Sequence, residues 1–470
     1  MKVTILLLLV TALLLALPPA ACAQWPTSPY RDLQITNVNA GASMCTDGAG
    51  GALFLWTGAY YSRYFQHVDS LGYKLLGEWG TPILVNFEGS SIWDFISDGQ
   101  GGAFFIVFRY STDRTLRVFR IDGAGNFLWS DSGIVVTQVE ALVQGPRLIP
   151  DGSGGVVPVW SESVAWWTIK AQRIDSAGQI LWPQNGVELC DSVASDGDFR
   201  ITADGTGGAF AFYSLGSQPG EGGLFAQRVN GAGQVCWPGN GVPMLPPPQG
   251  GALFDAVSDD RGGAWISFWR YLSGYQCWLQ HVDSTGRKQW PNGYQINPTG
   301  SSMSSVKICP DGEGGIYLAA WMHNLRTAHV NRMNYGGILL WGPRGVPAMS
   351  APSPAGIWSV LLDSSGGVIC LLNEFFAGYN NFFTQKISPE GRIVWDPRGV
   401  PFSLTRIMQT WPDWISDGSG GAIACWVNQR PFFPAFVSFA KHVDSNGHLG
   451  PPIGPAGLPA DRGNGPEPKD

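Results

Sequence analysis

The chain has 470 residues, of which 44% are hydrophobic and only 14% charged, with a net charge of −7 and 63 Gly, 34 Pro and 21 Trp. The acidic balance, with no basic run anywhere, excludes a nucleic-acid partner, which needs concentrated Lys and Arg. Few charges, many turn residues and many large rings point to an all-β protein with a sizeable core and many tight turns.

The chain begins with one lysine, an apolar run from Ile5 to Leu17 and the small-residue end Ala21-Cys22-Ala23. The run is too short to span a bilayer and fits a secretory signal peptide over 1–23, cleaved after Ala23. The mature chain is therefore expected to start at Gln24 and to be secreted or held at the cell surface or in the periplasm. Lipid attachment at Cys22 is the alternative; Pro19 stands where a lipoprotein signal usually has Leu. No later apolar run has transmembrane length. Seven cysteines follow, scattered and without a C-x-x-C, which reads as small buried apolar residues rather than a disulfide framework.

From there the chain repeats. The string D-x-x-G-G recurs at Asp47, Asp98, Asp151, Asp204, Asp259, Asp311, Asp363 and Asp417, at intervals of 51 to 55 residues. Each copy is followed by a basic residue, an apolar one, usually Asp or Asn, and a turn glycine: Gly72, Gly125, Gly178, Gly233, Gly286, Gly337, Gly391 and Gly447. Six copies then place Trp four residues on, at Trp129, Trp182, Trp237, Trp290, Trp341 and Trp395. Each copy reads as two hairpins, the first turned by D-x-x-G-G and the second by D-x-x-G with a left-handed glycine.

Four antiparallel strands per repeat, eight times over, predict an eight-bladed β-propeller across residues 24–450. Seven blades plus an aberrant module is the alternative. Trp25 precedes Asp47 by the 22-residue spacing found between blades, and the eighth copy has Pro451 where its Trp belongs. Trp25 and its neighbours are therefore expected to complete blade eight and close the ring. Residues 451–470, rich in Pro and Gly, are expected to be a disordered tail.

A residue present in every blade is one that every blade needs, so the repeat positions read as architecture. The turn aspartates cap their turns; calcium would want six to eight oxygens and each turn offers one dependable carboxylate. The basic position (His67, Arg120, Arg173, Arg228, His281, Arg332, Lys386, His442) is expected to pair with a turn aspartate, worth about 1 kcal/mol or less where exposed. The repeated Trp residues are expected to fill the space between blades. There is no G-x-S-x-G, H-E-x-x-H, EF-hand string or P-loop.

The stretch "AQRIDSAGQILW" resembles the tryptophan-docking motif of the quinoprotein-type propellers, although the turn here is one residue shorter. The resemblance covers the second hairpin of each blade. It implies that Trp129, Trp182, Trp237, Trp290, Trp341 and Trp395 lock adjacent blades. Enzymes of that family bind pyrroloquinoline quinone beside two adjacent cysteines, and this sequence has no such pair, so no cofactor and no metal is expected. Cofactor-free relatives serve as scaffolds in outer-membrane assembly. The repeat also resembles those of secreted bacterial propellers without assigned activity.

Function is expected where the repeat breaks. With strand a innermost, the a–b and c–d turns share one uniform face, and the variable b–c and d–a connections share the other. The b–c connections carry the candidate binding residues Tyr60, Tyr61, Arg109, Tyr110, Trp166, Trp167, Arg270, Tyr271, Tyr275, Arg326, Phe376 and Tyr379, types enriched in interface hot spots. The expectation is a non-enzymatic scaffold binding an unidentified protein or glycan. The alternative is a glycoside hydrolase or lyase with carboxylates in the central funnel, for which Asp113, Glu162 and Glu374 are the carboxylates in these connections. A quinone or metal oxidoreductase lacks its ligands.

Overall fold

The computed structural model describes residues 24–452, apart from 86, 112, 139–141, 164–166, 194–198, 216–221, 247–250, 272–274, 297–302, 324, 350–354, 377–378, 406 and 430–435. Residues 1–23, including Cys22, and nearly all of the segment 451–470 lie outside the described residues. The rest is all-β, with one short 3₁₀ turn at Ala59–Tyr61.

The strands form eight blades of four antiparallel strands. Blade 1 covers residues 42–84, blade 2 90–138, blade 3 142–193, blade 4 199–245, blade 5 252–295, blade 6 303–347 and blade 7 355–403. Blade 8 takes three strands from residues 408–443 and its fourth, Leu33–Gln34, from the start of the chain, which pairs with Ala440 and Phe439. The innermost strand of each blade touches those of both neighbours, so the ring is closed around an axis. No helix among the described residues is long and apolar enough to cross a membrane.

The repeated residues build the seams between blades. Trp129 donates its indole N–H to the Ser176 carbonyl in the c–d turn of blade 3, and Trp182 does the same to Gly231 of blade 4. The receiving turn must end in glycine. Gly233 sits at φ +78°, and a Cβ there would stand 2.8 Å from the Trp182 ring. Trp25 occupies this position for blade 8: its indole binds the Ser70 carbonyl of blade 1, and its side chain is buried with Leu33, Ile35, Met44 and Ile423. The N-terminal segment thus closes the ring both by its strand and by its tryptophan. Blade 1 has Leu76 in the tryptophan position, and its seam with blade 2 is filled by Phe65, Phe95, Phe105 and Phe119.

All eight basic residues pair with their own blade's turn aspartate, at 2.7–3.0 Å. In seven of the blades the aspartate's other oxygen accepts two turn amides, as Asp98 does from Gln100 and Gly102. These pairs are buried rather than exposed, which corrects the surface energetics expected from sequence. Several also cross the seam: His67, Arg120, Arg173 and Arg228 reach Gly123, Ser176, Gly231 and Ser284 of the following blade. That geometry puts the a–b and c–d turns on one face, leaving the variable connections on the other. None of the seven described cysteines is in a disulfide and, apart from Cys236, all are buried.

Candidate functional site

On the variable face, Tyr60 and Tyr61 ride on the 3₁₀ turn with φ of 54° and 57° and are both exposed, Tyr60 to 82%. Tyr110 and Tyr379 are exposed as well. Arg326 is exposed at φ 53°. Arg109 is half-buried, 3.3 Å from Asp113 and stacked over Phe87. Two other candidates turn inward: Trp167 packs against the core shared by blades 3 and 4, and Arg270 is buried with its guanidinium 4.8 Å from the Trp278 ring. Trp166 lies outside the described residues. For Tyr271, Tyr275 and Phe376 only the backbone placement is described: Tyr271 faces Tyr275 across one hairpin, and Phe376 faces Tyr379 across another.

Three exposed rings on this side, Trp93, Phe375 and Trp411, escaped the sequence reading. Phe375 neighbours the candidate Phe376, and Trp411 lies in the innermost strand of blade 8, at φ 50° and 68% exposed. Among the described residues, the exposed rings of these connections and of the inner strands fall on four consecutive blades: Phe375 and Tyr379 on 7, Trp411 on 8, Tyr60 and Tyr61 on 1, Trp93 and Tyr110 on 2.

Two of the carboxylates considered for catalysis, Asp113 and Glu162, are each held by cations. Asp113 is held by Arg109 and Arg117. Burial pushes its carboxyl up, but hydrogen bonds from Thr115 and Arg117 outweigh that and bring it below its ordinary value. Glu162 is paired with Lys170 at 2.7 Å and accepts the Trp160 indole N–H.

Six charged residues and two serines surround the axis four residues before each turn aspartate: Ser43, Asp94, Arg147, Arg200, Asp255, Lys307, Ser359 and Asp413. In six blades a register shift falls immediately before this position, at Asp94, Arg147, Asp255, Lys307, Ser359 and Asp413. A β-bulge re-aims the side chain that follows it. The signal was present in the sequence: this is a repeat position whose residue type changes from blade to blade.

The three aspartates of this ring each accept an amide from the next blade's inner strand: Asp94 from Leu148 at 2.8 Å, Asp255 from Ile308 and Asp413 from Met44, both at 3.4 Å. Arg200 works the other way and donates to the Phe254 and Leu253 carbonyls. Burial pushes all three carboxyls up. Arg147 pulls Asp94 back, and Lys307 and Arg200 pull Asp255 back, whereas Asp94 pushes Asp413 further up. Ser43, Arg147 and Asp413 remain accessible to solvent although they sit mid-strand at the centre of the ring, as residues lining a channel would.

No family model matches the chain, and no curated protein matches it. Among solved structures it is similar to the BP39L lectin from Burkholderia pseudomallei, at 13% identity over 79% of this chain and 100% of that one, with a TM-score of 0.46. It is also similar to a eukaryotic initiation factor structure, at 10% identity over 90% and 89% with a TM-score of 0.47. A third is the polysaccharide lyase Uly1, at 10% identity over 73% and 88% with a TM-score of 0.41. Likeness this distant carries no argument about what the chain binds.

Proposed function

We propose that this protein is an exported, non-enzymatic propeller scaffold that binds a saccharide chain through its variable loop face. The observation that carries the reading is the run of exposed rings on blades 7, 8, 1 and 2 at that end of the disc. Aromatic faces stack on the C–H faces of sugar rings, and polar groups beside them, here Arg109, Asp113 and Arg326, fix orientation through hydroxyls. The rings are spread over four blades, which suits a chain of sugar units better than the contiguous apolar core of a protein interface. Export rests on the leader sequence alone.

The second reading, a carbohydrate-active enzyme, draws its support from Asp94 and Asp413, whose carboxyls burial pushes up, the direction a glycosidase acid requires.

The test is binding of the mature chain to a polysaccharide panel, with Tyr60→Ala/Tyr61→Ala and Trp411→Ala as variants and Leu71→Ala, on the uniform face, as control. Binding lost in the first two and kept in the third supports the reading. Binding to no glycan overturns it, and chain cleavage of a bound glycan would transfer the weight to the enzyme.

A further inference from the structure

The inner strands of blades 8, 1 and 2 differ from the rest of the ring. On blade 8 the exposed Trp411 precedes Asp413 by two residues, and on blade 2 the exposed Trp93 immediately precedes Asp94. Blade 1, between them, carries Gly41, Ala42 and Ser43 at the corresponding height, with Gly41 and Ser43 exposed. Small residues between two tryptophan–aspartate pairs set the channel wall back, forming a recess. The Asp413 carboxylate leans over it to reach the Met44 amide of blade 1.

The electrostatics of this recess are one-sided. Asp94 has Arg147 as a counter-charge, and Asp255 across the ring has Lys307 and Arg200. No cation among the described residues acts on Asp413, and the charge that does, Asp94, has the same sign. Trp411 is kept at a backbone conformation that bulky residues avoid, in the bulge between Thr410 and Asp413, with its ring mostly in solvent and one side near Phe436. An exposed electron-rich ring two residues from an uncompensated carboxylate, in the same bulge, complements a cation that carries an apolar face.

We propose that this recess between blades 8 and 2 receives the protonated amino group of an amino sugar, with its ring against Trp411 and its ammonium at Asp413. The inference rests on the saccharide reading and narrows it to chains with free amines.

The experiment compares binding of three probes to the mature chain at low ionic strength: glucosamine oligomers, N-acetylglucosamine oligomers of equal length, and oligolysine. The amine sugar is expected to bind about tenfold or more tighter than its acetylated form. Asp413→Asn, whose amide oxygen still accepts the Met44 N–H, should erase that difference. Asp255→Asn, the same latch on the far side of the ring, should leave it intact, and equal melting temperatures for the two variants exclude a general loss of fold. Equal affinity for the two sugars overturns the amine site and leaves saccharide binding standing. Oligolysine binding with neither sugar bound overturns both and assigns the mouth to a basic protein segment. Binding of no probe overturns the amine site, and the polysaccharide panel then decides the saccharide reading separately.

Discussion

Arg120 and Trp129, on one blade, donate to a single acceptor, the Ser176 carbonyl of the next, at 3.0 and 3.1 Å. Arg173 and Trp182 converge in the same way on Gly231. The guanidinium also holds the buried Asp98 carboxylate, so one side chain ties turn, blade and neighbour together. Arg120→Met should therefore behave as the loss of one partner from a buried pair and destabilise the protein by about 3–5 kcal/mol in urea denaturation. His67→Arg should be tolerated, because His67 bridges Asp47 and Gly123 just as the arginines bridge their own partners. A loss below about 1 kcal/mol for Arg120→Met would make the pair equivalent to a surface contact.

Ring closure depends on Trp25. The indole fills the last seam and the strand eight residues on completes blade 8. Trp25→Ala should lower stability by about 3–5 kcal/mol, as for a large aromatic ring removed from a core. The exposed Tyr30→Ala should fall within about 0.5 kcal/mol of the parent. Deleting residues 24–36 should lower the melting temperature further than Trp25→Ala. An unchanged melting temperature after that deletion would mean that three strands suffice for blade 8.

The blade count, the seam tryptophans and the closure were legible because each is written as a spacing, and spacing survives without knowledge of side-chain direction. Burial of the Asp–Arg pairs was not legible: whether two charged residues at one end of a blade face water depends on how closely the next blade packs. The direction of Arg270 and Trp167 was not legible for a related reason, since strand phase at a hairpin end is lost within one residue. The axial ring was missed because D-x-x-G-G was read for its constant positions, while the informative residue, four places earlier, is the one that varies.

Asp32 and Lys441 form a 2.8 Å ion pair deep inside the closure, nearly inaccessible on both sides. Burial dominates for each: it pushes the Asp32 carboxyl up and the Lys441 amine down, and their mutual attraction only partly restores them. Lys441 also donates to the Ser28 and Phe402 carbonyls, and Asp32 accepts from Ser403. Removing one partner should cost about 3–5 kcal/mol, whereas Asp32→Asn with Lys441→Met should recover most of that loss. A double variant as unstable as the sum of the singles would show that the hydrogen bonds to Ser28 and Phe402, rather than the charge pairing, hold the strap.

Two sets of aspartates give stability opposite dependences on pH. In the turns, burial raises Asp47, Asp204, Asp259 and Asp417, but hydrogen bonds outweigh it, led by His67, Thr206, His281 and His442 respectively, and the carboxyls end below their ordinary value. Their contribution is present above the ordinary carboxyl range near pH ~4 and is lost as pH falls through the depressed folded values. Around the axis, burial leaves Asp94, Asp255 and Asp413 raised, so the fold favours their protonated forms. That contribution is fully present below the ordinary carboxyl range and is lost as pH rises through the raised folded values. Stability should therefore increase as acidification takes the pH down through the raised values of the axial carboxyls, and collapse only below about pH 4. The triple variant Asp94→Asn, Asp255→Asn, Asp413→Asn keeps the inter-blade acceptors while removing the titration. Its melting temperature should exceed that of the parent at neutral pH, lose the rise on mild acidification, and follow the parent on the acid limb. A parent and triple variant with superimposable profiles would mean that the channel carboxylates are fully hydrated in the folded state.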